Sequence, residues 1–238
     1  MNIEETLNLA IKFHNAHNLE NATRLYDKIL TLDANHSDAN HLSGLISLLA
    51  GNTDEAKEKI LKAIKVSPNE AMYYNSLGNV FKAKNKSEEA EYAYFSALKI
   101  DPRLHEAHHN LGKLFEKIDN LDNAKYHLME AISLNPNSFE STFSLARILI
   151  KLATFPEAVN FFEKALIIEP GNADVFNGLA FALEKAGRLD DSIQFFRESL
   201  ALKPNQVATL SNLGHALLSS GRAVEAVNYF KKCLEIEP

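Results

Sequence analysis

Histidine is the residue type that first suggests chemistry in this chain. His105, His108 and His109 stand together, and His105 and His109, four residues apart, share one face of a helix, the spacing of a two-histidine metal site. A zinc ion needs further ligands, and neither a His-Glu-x-x-His run nor a cysteine pair supplies them; the single cysteine is Cys233. No metal site and no cofactor is therefore expected. Nucleophilic and phosphate chemistry lack their signatures as well, since there is no Gly-x-Ser-x-Gly turn and no glycine-rich phosphate loop. The acidic pairs Glu88-Glu89 and Asp190-Asp191 read as first-turn residues of helices, where they favour the helix dipole. No catalytic residue is expected, and the chain is read as a binding protein and not an enzyme.

Composition narrows the class of partner. Twenty-five Lys and Arg against 31 Asp and Glu leave a net charge of −6, the opposite of the basic balance that nucleic-acid binding requires. The apolar fraction of 46% is enough for a packed core. The opening MNIEETLN has no basic region followed by an apolar stretch, and no apolar run approaches the ~20 residues of a membrane span. A cytoplasmic protein without membrane insertion is expected.

The elements that must position any site are set by proline. Pro68, Pro102, Pro136, Pro170, Pro204 and Pro238 follow one another at intervals of 34 residues, and Pro156 alone is out of phase. A fixed period of this length marks a repeat solenoid. Counting back gives units 3–36, 37–70, 71–104, 105–138, 139–172, 173–206 and 207–238, a single array over 1–238. Position 8 of each unit is small: Ala10, Gly44, Gly78, Gly112, Ala146, Ala180 and Gly214. So is position 20, with Ala22, Ala56, Ala90, Ala124, Ala158, Ser192 and Ala226. Position 24 is bulky, as in Tyr26, Tyr94, Phe162 and Phe196. The spacing of positions 4, 7, 8 and 11, and of 20, 24 and 27, predicts two helices per unit, each with one apolar face. The small residues let the two helices approach, and the proline at position 32 ends the second. Ser43 and Ser47 stand at core positions of unit 2, which is expected to be the least stable internal repeat.

Small residues at 8 and 20, an aromatic near 24, alanine at 27 (Ala63, Ala97, Ala131, Ala165) and proline at 32 resemble the tetratricopeptide repeat pattern over essentially the whole chain. The family's tryptophan at position 4 is missing from every unit. The resemblance implies an all-α, right-handed superhelical solenoid of seven helix-turn-helix repeats whose first helices line a concave groove. It also implies that positions 2, 5, 9, 12 and 13 face that groove. On that basis Asn75, Asn79, His109, Lys113 and Lys117 are candidate partner-binding residues, followed by Phe143, Arg147, Lys151, Asn177 and Phe181. Asparagine, histidine and cationic side chains at successive turns can hold a peptide backbone or carboxylate, and the phenylalanines can grip an apolar side chain.

Two subgroups of the family carry recognisable ligand motifs. The carboxylate clamp of chaperone-binding relatives is matched by Asn79 and Asn110, but Asn75 takes its lysine's place and Glu140 and Ser144 stand where two cations belong. A chaperone-tail receptor is rejected on that charge conflict. The asparagine ladder at position 6 is similar to the array of O-GlcNAc transferase in Asn8, Asn110 and Asn212 only. The expected function is a scaffold holding a protein or peptide ligand in the groove; the alternative is the substrate-recruiting region of a larger enzyme, such as a protein O-glycosyltransferase, continuing beyond Pro238. Cys233 is expected to be a buried packing thiol. With no helix after unit 7, the face of Phe230, Cys233 and Leu234 is expected to be uncapped, which admits self-association.

Overall fold

The computed structural model describes residues 2–237. Pro238, which closes the proline series, lies outside them. Fourteen helices and no strand are present among the described residues. They run in order as α1 (Ile3–Asn15), α2 (Leu19–Leu32), α3 (Ser37–Leu49), α4 (Thr53–Val66), α5 (Ala71–Ala83), α6 (Ser87–Ile100) and α7 (His105–Lys117). Then come α8 (Leu121–Leu134), α9 (Phe139–Lys151), α10 (Phe155–Ile168), α11 (Ala173–Lys185), α12 (Leu189–Leu202), α13 (Val207–Ser219) and α14 (Ala223–Ile236). The odd-numbered helices start 34 residues apart, so the helical period is the proline period. Pro68, Pro102, Pro136, Pro170 and Pro204 each lie two residues past a helix end, and Pro156 sits in the first turn of α10, where its missing N–H costs nothing.

The chain divides into two compact units, one running to Leu114 and one starting at Phe115. In the first, α1 packs on α2, α3 on α4 and α5 on α6; α2 then packs on α3 and α4 on α5. In the second, α9 packs on α10, α11 on α12 and α13 on α14, with α8 on α9, α10 on α11 and α12 on α13 joining the hairpins. The hairpin interior is made as the columns require. All seven residues at position 20 are fully buried, as are Tyr26, Ile60, Tyr94, Leu128, Phe162 and Phe196 at position 24. Burying each phenylalanine contributes roughly 1.5–3 kcal/mol. At Gly78 a Cβ would lie 2.4 Å from the Tyr94 ring, so the small residue at position 8 is what admits the large one at 24.

Each hairpin turns through one residue in the left-handed region, always at position 15. Gly51, Gly187 and Gly221 supply it without strain, whereas His17, Asn85, Asp119 and Ala153 adopt φ values of 56–58°. Ser43 and Ser47 are buried but satisfied, donating to the Asn40 carbonyl at 3.2 Å and the Ser43 carbonyl at 3.1 Å. His108, in the place of the family's tryptophan, is buried with Nε2 3.2 Å from the Pro102 carbonyl. Cys233 departs from expectation. It is only partly buried, its thiol 3.7 Å from the Val207 carbonyl, because this last hairpin keeps Phe230 half-buried and leaves Leu234 exposed. Among the described residues no helix is long and apolar enough to cross a membrane, and no three His, Cys, Asp or Glu groups are arranged to hold a metal ion.

Candidate functional site

First helices of successive hairpins meet through side chains 35 residues apart. In the unit that ends at Leu114, His41 Nε2 lies 2.8 Å from Ser76 Oγ, and the Tyr73 hydroxyl donates to Asp38 at 2.6 Å. Asn110 Nδ2 donates to Asn75 Oδ1 at 3.0 Å, and Lys82 donates to Asn110 Oδ1 at 3.2 Å. Burial and the nearby Lys113 hold the Lys82 pKa below its ordinary value. His41 is buried, packs on the Tyr73 ring at 4.5 Å, and is pushed down to about 4, chiefly by burial.

Asn75 and Asn79, two of the candidate groove residues, both have partners within the fold. Asn75 is 4% exposed and its carbonyl is taken by Asn110. Asn79 accepts the Tyr94 hydroxyl at 2.8 Å, so its carbonyl serves the hairpin core. His109 and Lys113 are half-buried on α7 in the same unit. Lys117 is exposed and belongs to the second unit, away from the pocket described next.

The second unit gathers the remaining candidates. Phe143, Arg147, Ile150 and Lys151 recur at helical spacing along one face of α9, and Asp174, Asn177, Gly178 and Phe181 do so along α11. With Asn212 of α13 and Phe162 of α10 they line an open pocket of about 520 Å³. Phe162 reaches this face because Gly178 has no side chain; a Cβ there would lie 2.4 Å from the ring. Phe143 packs edge-on against Phe162 at 6.0 Å and stacks on Phe139 at 5.6 Å. The Lys185 ammonium lies over the Phe181 ring at 5.1 Å.

Charge around the pocket is uneven. Arg147 and Lys151 both donate to one oxygen of Glu116, at 3.3 and 3.1 Å, and the Glu116 side chain is 8% exposed. Asp174, by contrast, is held by Lys203 on both oxygens, at 3.1 and 2.9 Å, and by Gln206 at 3.1 Å. The Lys203 hydrogen bond lowers its pKa, with the Gln206 bond acting in the same sense against desolvation. The arrangement offers aromatic surface beside a cationic edge. Ile150, Asp174, Gly178 and Asn212 of the lining, and Glu116 beside it, are not among the candidates the sequence offers, and Phe162 is read there only as hairpin core. The signal for Glu116 was available, since opposite charges 31 and 35 residues on place it beside Arg147 and Lys151.

Comparisons with known proteins agree with this architecture. Family models described as "Tetratricopeptide repeat" match residues 171–237 and 105–138, and one described as "TPR repeat" matches 78–119; together they span more than half of the chain. No curated protein matches. Among solved structures the chain is similar to YrrB, described as a TPR protein with an unusual peptide-binding site, at 20% identity and a TM-score of 0.71, over 75% of this chain and 92% of that one. MamA aligns at 27% identity and a TM-score of 0.65, over 68% of this chain and 94% of that one. PilF of Pseudomonas aeruginosa aligns at 22% identity and a TM-score of 0.73, over 85% and 92%. With the 34-residue helical hairpins and their filled columns, these matches show that the chain belongs to the tetratricopeptide repeat family.

Proposed function

We propose that this protein is a non-catalytic interaction scaffold that takes a peptide or an extended segment of a partner protein along its first helices. The observation that carries the reading is the pocket on α9, α11 and α13, where Phe143, Arg147, Lys151, Asn177 and Phe181 converge. Arg147 and Lys151 are exposed, while Phe143 and Phe181 are partly buried, one against Phe162 and the other against the core around Phe196 and Leu213, and keep part of their surface open. The peptide-binding site in the description of YrrB, a relative in fold, supports a peptide as the kind of ligand. The five candidates outside the pocket keep a subsidiary role: His109, Lys113 and Lys117 as further groove contacts, Asn75 and Asn79 as groove-wall supports. The cytoplasm is the compartment this reading favours, with a single cysteine as its support.

The test is selection of binders from a random-peptide library, followed by competition on groove variants. Peptides that define the function should lose affinity at least tenfold on Phe181→Ala while the variant keeps its helicity. Selected peptides that bind this variant and Arg147→Gln as tightly as the parent would move the site off this face. Association between copies through the last hairpin is a separate proposal, supported by the exposure of Val227 and Leu234 on α14. Light scattering over a concentration series should then show a mass increase that Leu234→Glu removes; a mass independent of concentration would contradict it.

A further inference from the structure

The step of 35 residues that joins first helices is filled by paired side chains at His41–Ser76, Asn75–Asn110 and Glu116–Lys151. At Phe143 the residue one step on is Gly178, and no side chain arrives. The Phe162 ring takes the space that a side chain at Gly178 would fill, and the pocket opens beside it. Its floor is Phe162, admitted by the same glycine, and its walls are Phe143, Ile150 and Phe181. Its volume of about 520 Å³ falls within the roughly 300–1,000 Å³ of pockets that enclose small ligands. Phe143 and Phe181 are the partly exposed rings at this opening, surfaces on which another ring can pack in offset or edge-on geometry, over the buried Phe162.

The edge of the pocket selects for charge. Asp174 has its oxygens satisfied by Lys203 and Gln206, so it offers little to an incoming cation. Arg147 and Lys151 share a single Glu116 oxygen, and their side chains are 47% and 41% exposed. Two cations on one carboxylate leave an excess positive charge that a ligand carboxylate can meet, with the arginine fork free to add a second hydrogen bond. The chain as a whole carries −6, so the attraction is local and does not steer ligands from a distance.

We infer that the pocket between Phe143 and Phe181 seats an aromatic side chain from an acidic peptide segment, with a neighbouring Asp or Glu of that segment on Arg147. This rests on the groove reading above and specifies its ligand. The probe is a blocked hexapeptide, Gly-Asp-Asp-Phe-Asp-Gly, titrated calorimetrically without a dye whose own rings would compete. Two controls replace its phenylalanine by alanine or all its aspartates by lysine. The parent peptide should bind at least tenfold more tightly than either control, and Phe181→Ala should weaken it at least tenfold. Arg147→Gln, which leaves Glu116 its Lys151 partner, should cut the preference for aspartate over lysine at least threefold without loss of helicity. Equal or tighter binding of the lysine or alanine peptide overturns the inference. Failure of all three peptides, while library-selected peptides still depend on Phe181, overturns the acidic aromatic ligand and leaves the groove reading standing. If the selected peptides ignore Phe181 too, the groove reading itself has failed, and this inference with it.

Discussion

Position 20 is alanine in six hairpins and serine in one. Ser192 is fully buried, and its hydroxyl oxygen has no hydrogen-bond partner. A stranded buried hydroxyl costs about 1–3 kcal/mol, and the other six hairpins show that a methyl fits the place. Ser192→Ala should therefore raise stability by about 1 kcal/mol, read as a higher urea midpoint at unchanged slope; an unchanged or lower midpoint would show that the hydroxyl is satisfied. His41 makes a second residue-scale case. Unfolded, it takes up a proton near 6.5; folded, burial delays this to about 4. Its contribution is thus complete above pH 6.5 and is lost as pH falls toward 4, with a full size of about 3 kcal/mol. Urea titrations at pH 7 and pH 4.5 should show a larger fall for the wild type than for His41→Gln. Equal falls would mean that His41 is free to protonate in the fold.

At the scale of the helix and its turn, Ala153 sits exposed at φ 56°, where three other hairpins have glycine. A left-handed alanine costs about 1–2 kcal/mol, offset in part by the freedom glycine brings to the unfolded chain. Ala153→Gly should stabilise the protein by about 0.5–1 kcal/mol, and a lower denaturation midpoint would contradict that account of the turn. The conformational column at position 15 could be read in six hairpins, because Gly, Asn, Asp and His are the residues that most readily adopt the left-handed region; Ala153 alone gives no such signal. The packing columns could be read, since size alone decides whether Gly78 admits Tyr94. The candidate site was legible only in part. Phe143, Arg147, Lys151, Asn177 and Phe181 sit where the period puts them. Asn75 and Asn79 do too, yet Asn110 of the next repeat and Tyr94 of the same hairpin occupy their carbonyls. Periodicity reports which face a residue is on; whether its polar atoms are already used depends on neighbours across the hairpin and 35 residues away. Gly178 was silent for the same reason, since only its neighbour Phe162 shows why a side chain is missing there.

For the molecule as a whole, the hairpin cores consume the small and bulky columns, and the proposed binding surface is built from residues that vary from repeat to repeat. The stability effects above and the ligand chemistry are accordingly separable: Ser192 and Ala153 lie away from the pocket lining, and Arg147 is exposed. The central claim is that ligand lies on the first helices. Hydrogen–deuterium exchange with and without a library-selected peptide tests it most directly, because it locates contact without any substitution. The account predicts slower exchange in α9, α11 and α13, strongest around Phe143, Asn177 and Phe181. Protection confined to the exposed faces of α10, α12 and α14, with the first helices unchanged, would contradict it.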